Sequence, residues 1–81
     1  MEVEWTETSL DNMAALDKGI ACRVKKAVER FAATGAGNVK RLQDIDPPEY
    51  RLRVGDYRVR FELDRGMMRV LRVRNRREAY R

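Results

Sequence analysis

Between residues 18 and 34 apolar side chains recur at helical spacing: Ile20, Val24, Ala27, Val28 and Phe31 fall at i, i+4, i+7, i+8 and i+11. This stripe predicts an amphipathic helix, with Lys25, Lys26, Glu29 and Arg30 on its solvated side. Cys22 reads as a small buried residue of the same stripe, and Gly35 and Gly37 stop the helix. Upstream, "VEW" (3–5) reads as a short strand. "TETSLDNMAALD" (6–17) reads as a first helix capped by Thr6 or Thr8, with Leu10, Met13, Ala14 and Leu16 or Asp17 towards one face. The connector "NVKRLQDIDPPE" brings Val39 and Leu42 towards the core, and its paired prolines favour an extended path.

From Tyr50 the period falls to two. Tyr50, Leu52 and Val54 alternate with Arg51 and Arg53; Tyr57, Val59, Phe61 and Leu63 alternate with Arg58, Arg60 and Glu62. Gly55-Asp56 between them is a two-residue turn with glycine first, as a type II′ hairpin requires. "DRG" (64–66) makes a second turn into a strand near Met67–Arg74. Met68 and Val70 have one parity there and Leu71 and Val73 the other, as in a central strand covered on both sides. The expected architecture is a single α+β domain over residues 1–81: a short N-terminal strand, a two-helix hairpin and a three-stranded antiparallel meander.

The hairpin raises an electrostatic question. Counting outward from a two-residue turn places Val54 opposite Tyr57, Arg53 opposite Arg58, Leu52 opposite Val59 and Arg51 opposite Arg60. Two like-charged pairs then share one face, each costing a few tenths of a kcal/mol, roughly. Arginine stems do cover apolar surface, but a purely structural hairpin would more naturally pair Arg with Glu. A polyanion that neutralises this face resolves the conflict.

Charge distribution points the same way. The chain carries a net +5, yet residues 1–50 hold seven basic and nine acidic groups, whereas residues 51–81 hold eleven arginines, no lysine and four acidic groups. Guanidinium forks bind phosphates in bidentate fashion and stack on bases, so nucleic acid is the leading partner class and an acidic protein the alternative. No apolar run reaches the length of a membrane span, and the acidic N-terminal stretch is unlike a secretory signal. A single cysteine fits a reducing, cytoplasmic setting. Without histidine there is no histidine-based triad or acid/base, and one cysteine leaves no zinc site. "DID" (44–46) is loop polarity rather than a magnesium site, and no phosphate-cradling glycine loop occurs. No cofactor and no metal are expected. Chemistry, if any, falls to Arg, Tyr and a carboxylate.

"EYRLRVGDYRVRFEL…MMRVLRVRNRREAY", with the upstream "LDKGIACRVKKAVERFA" and "VKRLQ", resembles the RelE/ParE superfamily of toxins from bacterial type II toxin–antitoxin systems, specifically its RelE-like branch. The resemblance covers essentially the whole chain. It implies the RelE-like microbial RNase fold and a ribosome-dependent mRNA endonuclease (mRNA interferase) working by attack of the ribose 2′-OH on the adjacent phosphate. The family's basic strand positions match Arg51 and Arg53, and the arginine of its "Y-R" strand matches Arg58. The arginine of its "R-x-x-x-Y" motif matches Arg76 better than Arg77, and the tyrosine matches Tyr80. The implied catalytic set is Arg53, Arg58, Arg76 and Tyr80, with Arg51, Arg60, Arg74 and Arg77 binding RNA. Two departures stand out. Arg53 replaces the lysine of some relatives and cannot act as a base at neutral pH, and Asn75 stands where many carry His or Lys.

The implied partners are a cognate antitoxin encoded by an adjacent gene, the ribosome and mRNA. A ParE-like DNA gyrase poison is the alternative activity, and a degenerate toxin that only binds its antitoxin is the third. The basic strand together with Arg76 and Tyr80 favours the first, because the gyrase-directed branch generally lacks that set.

Overall fold

The computed structural model describes residues 1–79. The chain runs β1 (Glu2–Trp5), α1 (Glu7–Ala14), α2 (Lys18–Thr34), β2 (Asn38–Arg41), β3 (Tyr50–Val54), β4 (Tyr57–Asp64), β5 (Met67–Asn75) and α3 (Arg76–Ala79). The strands form one sheet in the order β1-β5-β4-β3-β2. β1 lies parallel to β5, and the remaining pairs are antiparallel. The α+β order of strand, helices and antiparallel strands is therefore the expected one. The connector, however, contributes an edge strand, β2, paired to β3 through Val39 opposite Leu52. Its remainder turns back instead of running extended. Leu42 N donates to Glu49 O at 2.9 Å, closing the reversal that two antiparallel neighbours need, and the Asp46–Pro47 peptide bond is cis.

α2 has the capped, amphipathic form that its stripe dictates. Asp17 accepts from Gly19 N at 3.1 Å, and Gly35 closes the helix at φ +76°, a conformation nearly free of cost only for glycine. Its Val24, Val28, Phe31 and Ala32 pack against Leu52, Val59, Phe61 and Val70 of the sheet. Phe61 is fully buried at the centre of this core. Its ring centroid lies 5.2 Å from Phe31 and 5.5 Å from Tyr50, and burial of such a ring contributes about 2–3 kcal/mol. Cys22 is exposed, against expectation. It lies two positions from Val24, about 200° around the helix, and so falls off the buried stripe.

β5 explains its own mixed apolar pattern. Arg60 stands opposite Arg72 but Phe61 stands opposite Val70, leaving Leu71 as the extra residue of a β-bulge. The bulge re-phases the strand, so Met68 and Val70 before it and Val73 after it all reach one core. A strand covered on both sides is not needed. Unbroken alternation would have turned Arg72 and Arg74 inward with Val70.

Past the end of β1, α1 and its cap supply partners for the backbone of the bulged segment of β5. Thr6 Oγ1 donates towards the carbonyls of Val70 (2.9 Å) and Leu71 (3.1 Å), and Asn12 Oδ1 accepts from Val73 N at 3.0 Å. Thr6 is also the N-cap of α1, accepting from Ser9 N at 3.2 Å. These bonds set the rotation of α1: Ser9 is fully buried, and Met13 and Leu16 meet the core. Leu10, expected on that face, lies about 100° from Ser9 and is 54% exposed.

Candidate nucleic-acid interface

α1 and α2 cover the sheet face that carries Val59, Phe61, Val70 and Val73. Alternation sends the intervening residues to the opposite face. The hairpin pairs as counted from its turn, with Arg53 opposite Arg58 and Arg51 opposite Arg60. Gly55 takes φ +58° at the first turn position, matching the type II′ geometry that two-residue hairpins favour. β5 extends both pairs: Arg74 faces Arg58, and Arg72 faces Arg60. β2 adds Lys40 opposite Arg51 and Asn38 opposite Arg53.

The result is two cross-strand rows. The first is Arg53, Arg58 and Arg74; the second is Lys40, Arg51, Arg60 and Arg72. Neighbouring strands lie about 4.8 Å apart and positions i and i+2 about 6.8 Å apart, so the cations sit on a grid of roughly nucleotide dimensions. Arg58, on the central strand, is 9% exposed, Arg51 and Arg60 are half-buried, and Arg53, Arg72 and Arg74 are exposed. Arg53 Nε reaches Gly55 O at 3.5 Å, a weak contact along its own turn.

The last site residues sit at one end of the first row. Asn75 faces Tyr57, and Arg76 N donates to Asp56 O at 2.6 Å, fastening the start of α3 beside the β3–β4 turn. Arg77 N donates to Asn75 Oδ1 at 3.0 Å. Both Arg76 and Arg77 are exposed. Tyr80 lies outside the described residues.

Three residues on this face were not among those read from the sequence. Arg72 depended on the bulge at Leu71, and Lys40 on a strand with a single inward apolar residue, Val39. Glu49 is the third. Its Oε1 lies 3.1 Å from Arg60 Nη2, with side chains 22% and 33% exposed. Arg60 Nε is buried and has no hydrogen-bond partner among the described residues. Farther from the turn the face becomes acidic: Glu62 faces Arg69, which also pairs with Glu4 at 3.6 Å. Among the described residues no three Asp, Glu or Cys side chains gather as metal ligands would. Guanidinium groups arranged in this way can position an anion and neutralise its charge.

Residues 3–80 match the family model of the ParE toxin of the type II toxin–antitoxin system parDE. No curated protein matches the chain significantly. Among solved structures, the fold is similar to that of the RelB–RelE antitoxin–toxin complex from Methanococcus jannaschii, with a TM-score of 0.78 and 21% identity over 95% of this chain and 94% of that one. The archaeal RelE–RelB complex from Pyrococcus horikoshii OT3 gives 0.77 and 20% over 93% of both chains. The intact E. coli RelBE complex gives 0.69 and 15% over 91% and 94%. On its sequence match from the first strand to the C-terminal arginine segment, this chain belongs to the ParE toxin family of type II toxin–antitoxin systems, within the RelE/ParE superfamily.

Proposed function

We propose that this chain is a translation-inhibiting toxin that cleaves mRNA on the ribosome, as a metal-independent endoribonuclease using in-line attack of the ribose 2′-OH. The observation that carries this reading is the row Arg53–Arg58–Arg74, lying beside the anchored start of α3 with Arg76. In the reaction the 2′-oxygen forms a bond to phosphorus and the bond to the 5′-oxygen breaks, leaving a cyclic phosphate and a 5′-hydroxyl. Charge accumulates on the non-bridging oxygens and then on the leaving oxygen. Arg58 and Arg53 oppose the first, and Arg76 the second, from backbone positions set by the sheet and by the anchored start of α3. Arg51, Arg60, Arg74 and Arg77 hold the flanking phosphates, and Tyr80 stacks on a base. No arginine accepts the 2′-proton at neutral pH, so it passes to water, water also protonates the leaving 5′-oxygen, and the protein contributes positioning and charge.

A cognate antitoxin, encoded next to this gene, is the proposed partner, and the similar solved structures, each a toxin–antitoxin complex, support it. An acidic antitoxin segment over the arginine face would relieve the same repulsion as RNA. The proposed place of action is the cytoplasm, with mRNA and ribosomes. Among the described residues no helix is long and apolar enough to cross a membrane. The ParE description of the matching family favours a second reading, a poison of DNA gyrase. Induced expression with separate readouts separates the two. Loss of translation with intact DNA supports the first, and a DNA-damage response with intact mRNA replaces it with the second. Absence of toxicity alongside tight antitoxin binding leaves the binding-only toxin.

A further inference from the structure

The second cationic row carries a carboxylate of the chain itself: Glu49 lies on Arg60. A carboxylate on a guanidinium fork presents the same oxygen acceptors as a phosphodiester. Glu49 is also delivered by fixed backbone, because its carbonyl accepts from Leu42 N at 2.9 Å at the neck of the 43–48 loop. The rows are two residues apart on every strand, about 6.8 Å, which suits successive phosphates of an extended single strand.

Resting on the RNA-directed reading, we infer that the second row is a separate phosphate subsite that the free protein fills with its own Glu49 carboxylate. A phosphodiester reaches Arg60 only by displacing Glu49. A strand anchored on the first row supplies the neighbouring phosphate at high effective concentration. An isolated anion does not. The subsite thus selects chains of nucleotides over free phosphate and mononucleotides, and it lowers the affinity of the face for stray anions. Beyond Glu49 the acidic positions Glu62 and Glu4 mark where the phosphate track ends.

The test uses a single-stranded 2′-O-methyl RNA decamer, which resists 2′-OH attack, bound to the full chain over a range of salt. Glu49→Gln keeps the shape and removes the competing charge. It is expected to tighten binding about five- to tenfold and to steepen the slope of log K against log salt by about 0.7, one additional phosphate contact. Arg60→Gln placed on Glu49→Gln should erase both the gain in affinity and the added slope. In the unsubstituted protein the Arg60 Nε–H NMR signal should move on saturation with the decamer and stay in place with inorganic phosphate. An unchanged affinity and slope in Glu49→Gln, or an Arg60 signal indifferent to the decamer, overturns the subsite while leaving the RNA reading intact. Loss of cleavage in Glu49→Gln at unchanged affinity also overturns it, since Glu49 would then be handling the proton. If neither protein binds the decamer, the RNA-directed reading fails and the subsite with it.

Discussion

Arg53 stands directly opposite Arg58 in the β3–β4 ladder, two like charges at a position where opposite charges would stabilise the sheet. Replacing Arg53 by Glu should therefore raise stability by about 0.5 kcal/mol, a rise of a few degrees in Tm for a domain of this size. The same change should weaken single-stranded RNA binding at least tenfold. Thermal denaturation and a binding titration on the same sample check both halves, and a loss of stability would show that the repulsion is already relieved within the chain.

The row geometry also sets a salt signature. Each phosphate contact on a single strand contributes about −0.7 to the slope of log K against log salt. Arg58→Gln and Arg74→Gln should each shallow the slope by about that amount and weaken binding to all sequences alike, as contacts to phosphate rather than base do. A change in sequence preference at constant slope would assign these side chains to base edges.

The bulged segment of β5 is bonded to α1 and its cap, so polar residues there should control the strand. Asn12→Leu leaves the Val73 amide without its acceptor and should cost about 1–3 kcal/mol in urea denaturation. Asn12→Asp keeps an acceptor oxygen and should recover most of that loss. Faster exchange of the Val73 amide in the Leu variant, and its recovery in the Asp variant, would localise the effect.

The core makes a simpler demand. Phe61→Ala removes a fully buried ring that touches both Phe31 and Tyr50. It should cost about 3–5 kcal/mol, a large fraction of the 5–15 kcal/mol, roughly, that keeps ordinary domains folded. Chemical denaturation measures it.

How far the chain could be read in advance follows from which physical signals are local. The β3–β4 register was legible because alternation is strict on both strands and Gly55-Asp56 leaves one way to turn. α2 was legible because its stripe spans about three turns between Asp17 and Gly35. β2 was not, since four residues with one inward valine carry no period and their partner is distant in sequence. The bulge escaped because an inserted residue reads as apolar groups on both parities; only the pairing of Arg60 with Arg72 and of Phe61 with Val70 reveals it. Arg72, Lys40 and Glu49 were lost with those two features. Leu10 fell off its face because tertiary bonds set the rotation of α1, whereas Cys22 lies off the α2 stripe by helical spacing alone. By contrast Arg51, Arg53, Arg58, Arg60 and Arg74 share the sheet face that alternation indicates, while Arg76 depends on the turn at Asp56 to join them.

The most direct measurement is a reconstituted translation reaction, with mRNA ends mapped after adding the purified protein or its Arg58→Ala and Arg76→Ala variants. Removal of a preorganised charge that acts on the transition state costs about 10²–10³ in rate. The unsubstituted protein should cut mRNA only when ribosomes are present, leaving 5′-hydroxyl ends, and each variant should cut at least a hundredfold more slowly. Intact mRNA in that reaction, together with gyrase–DNA cleavage complexes trapped by the same protein, would contradict it.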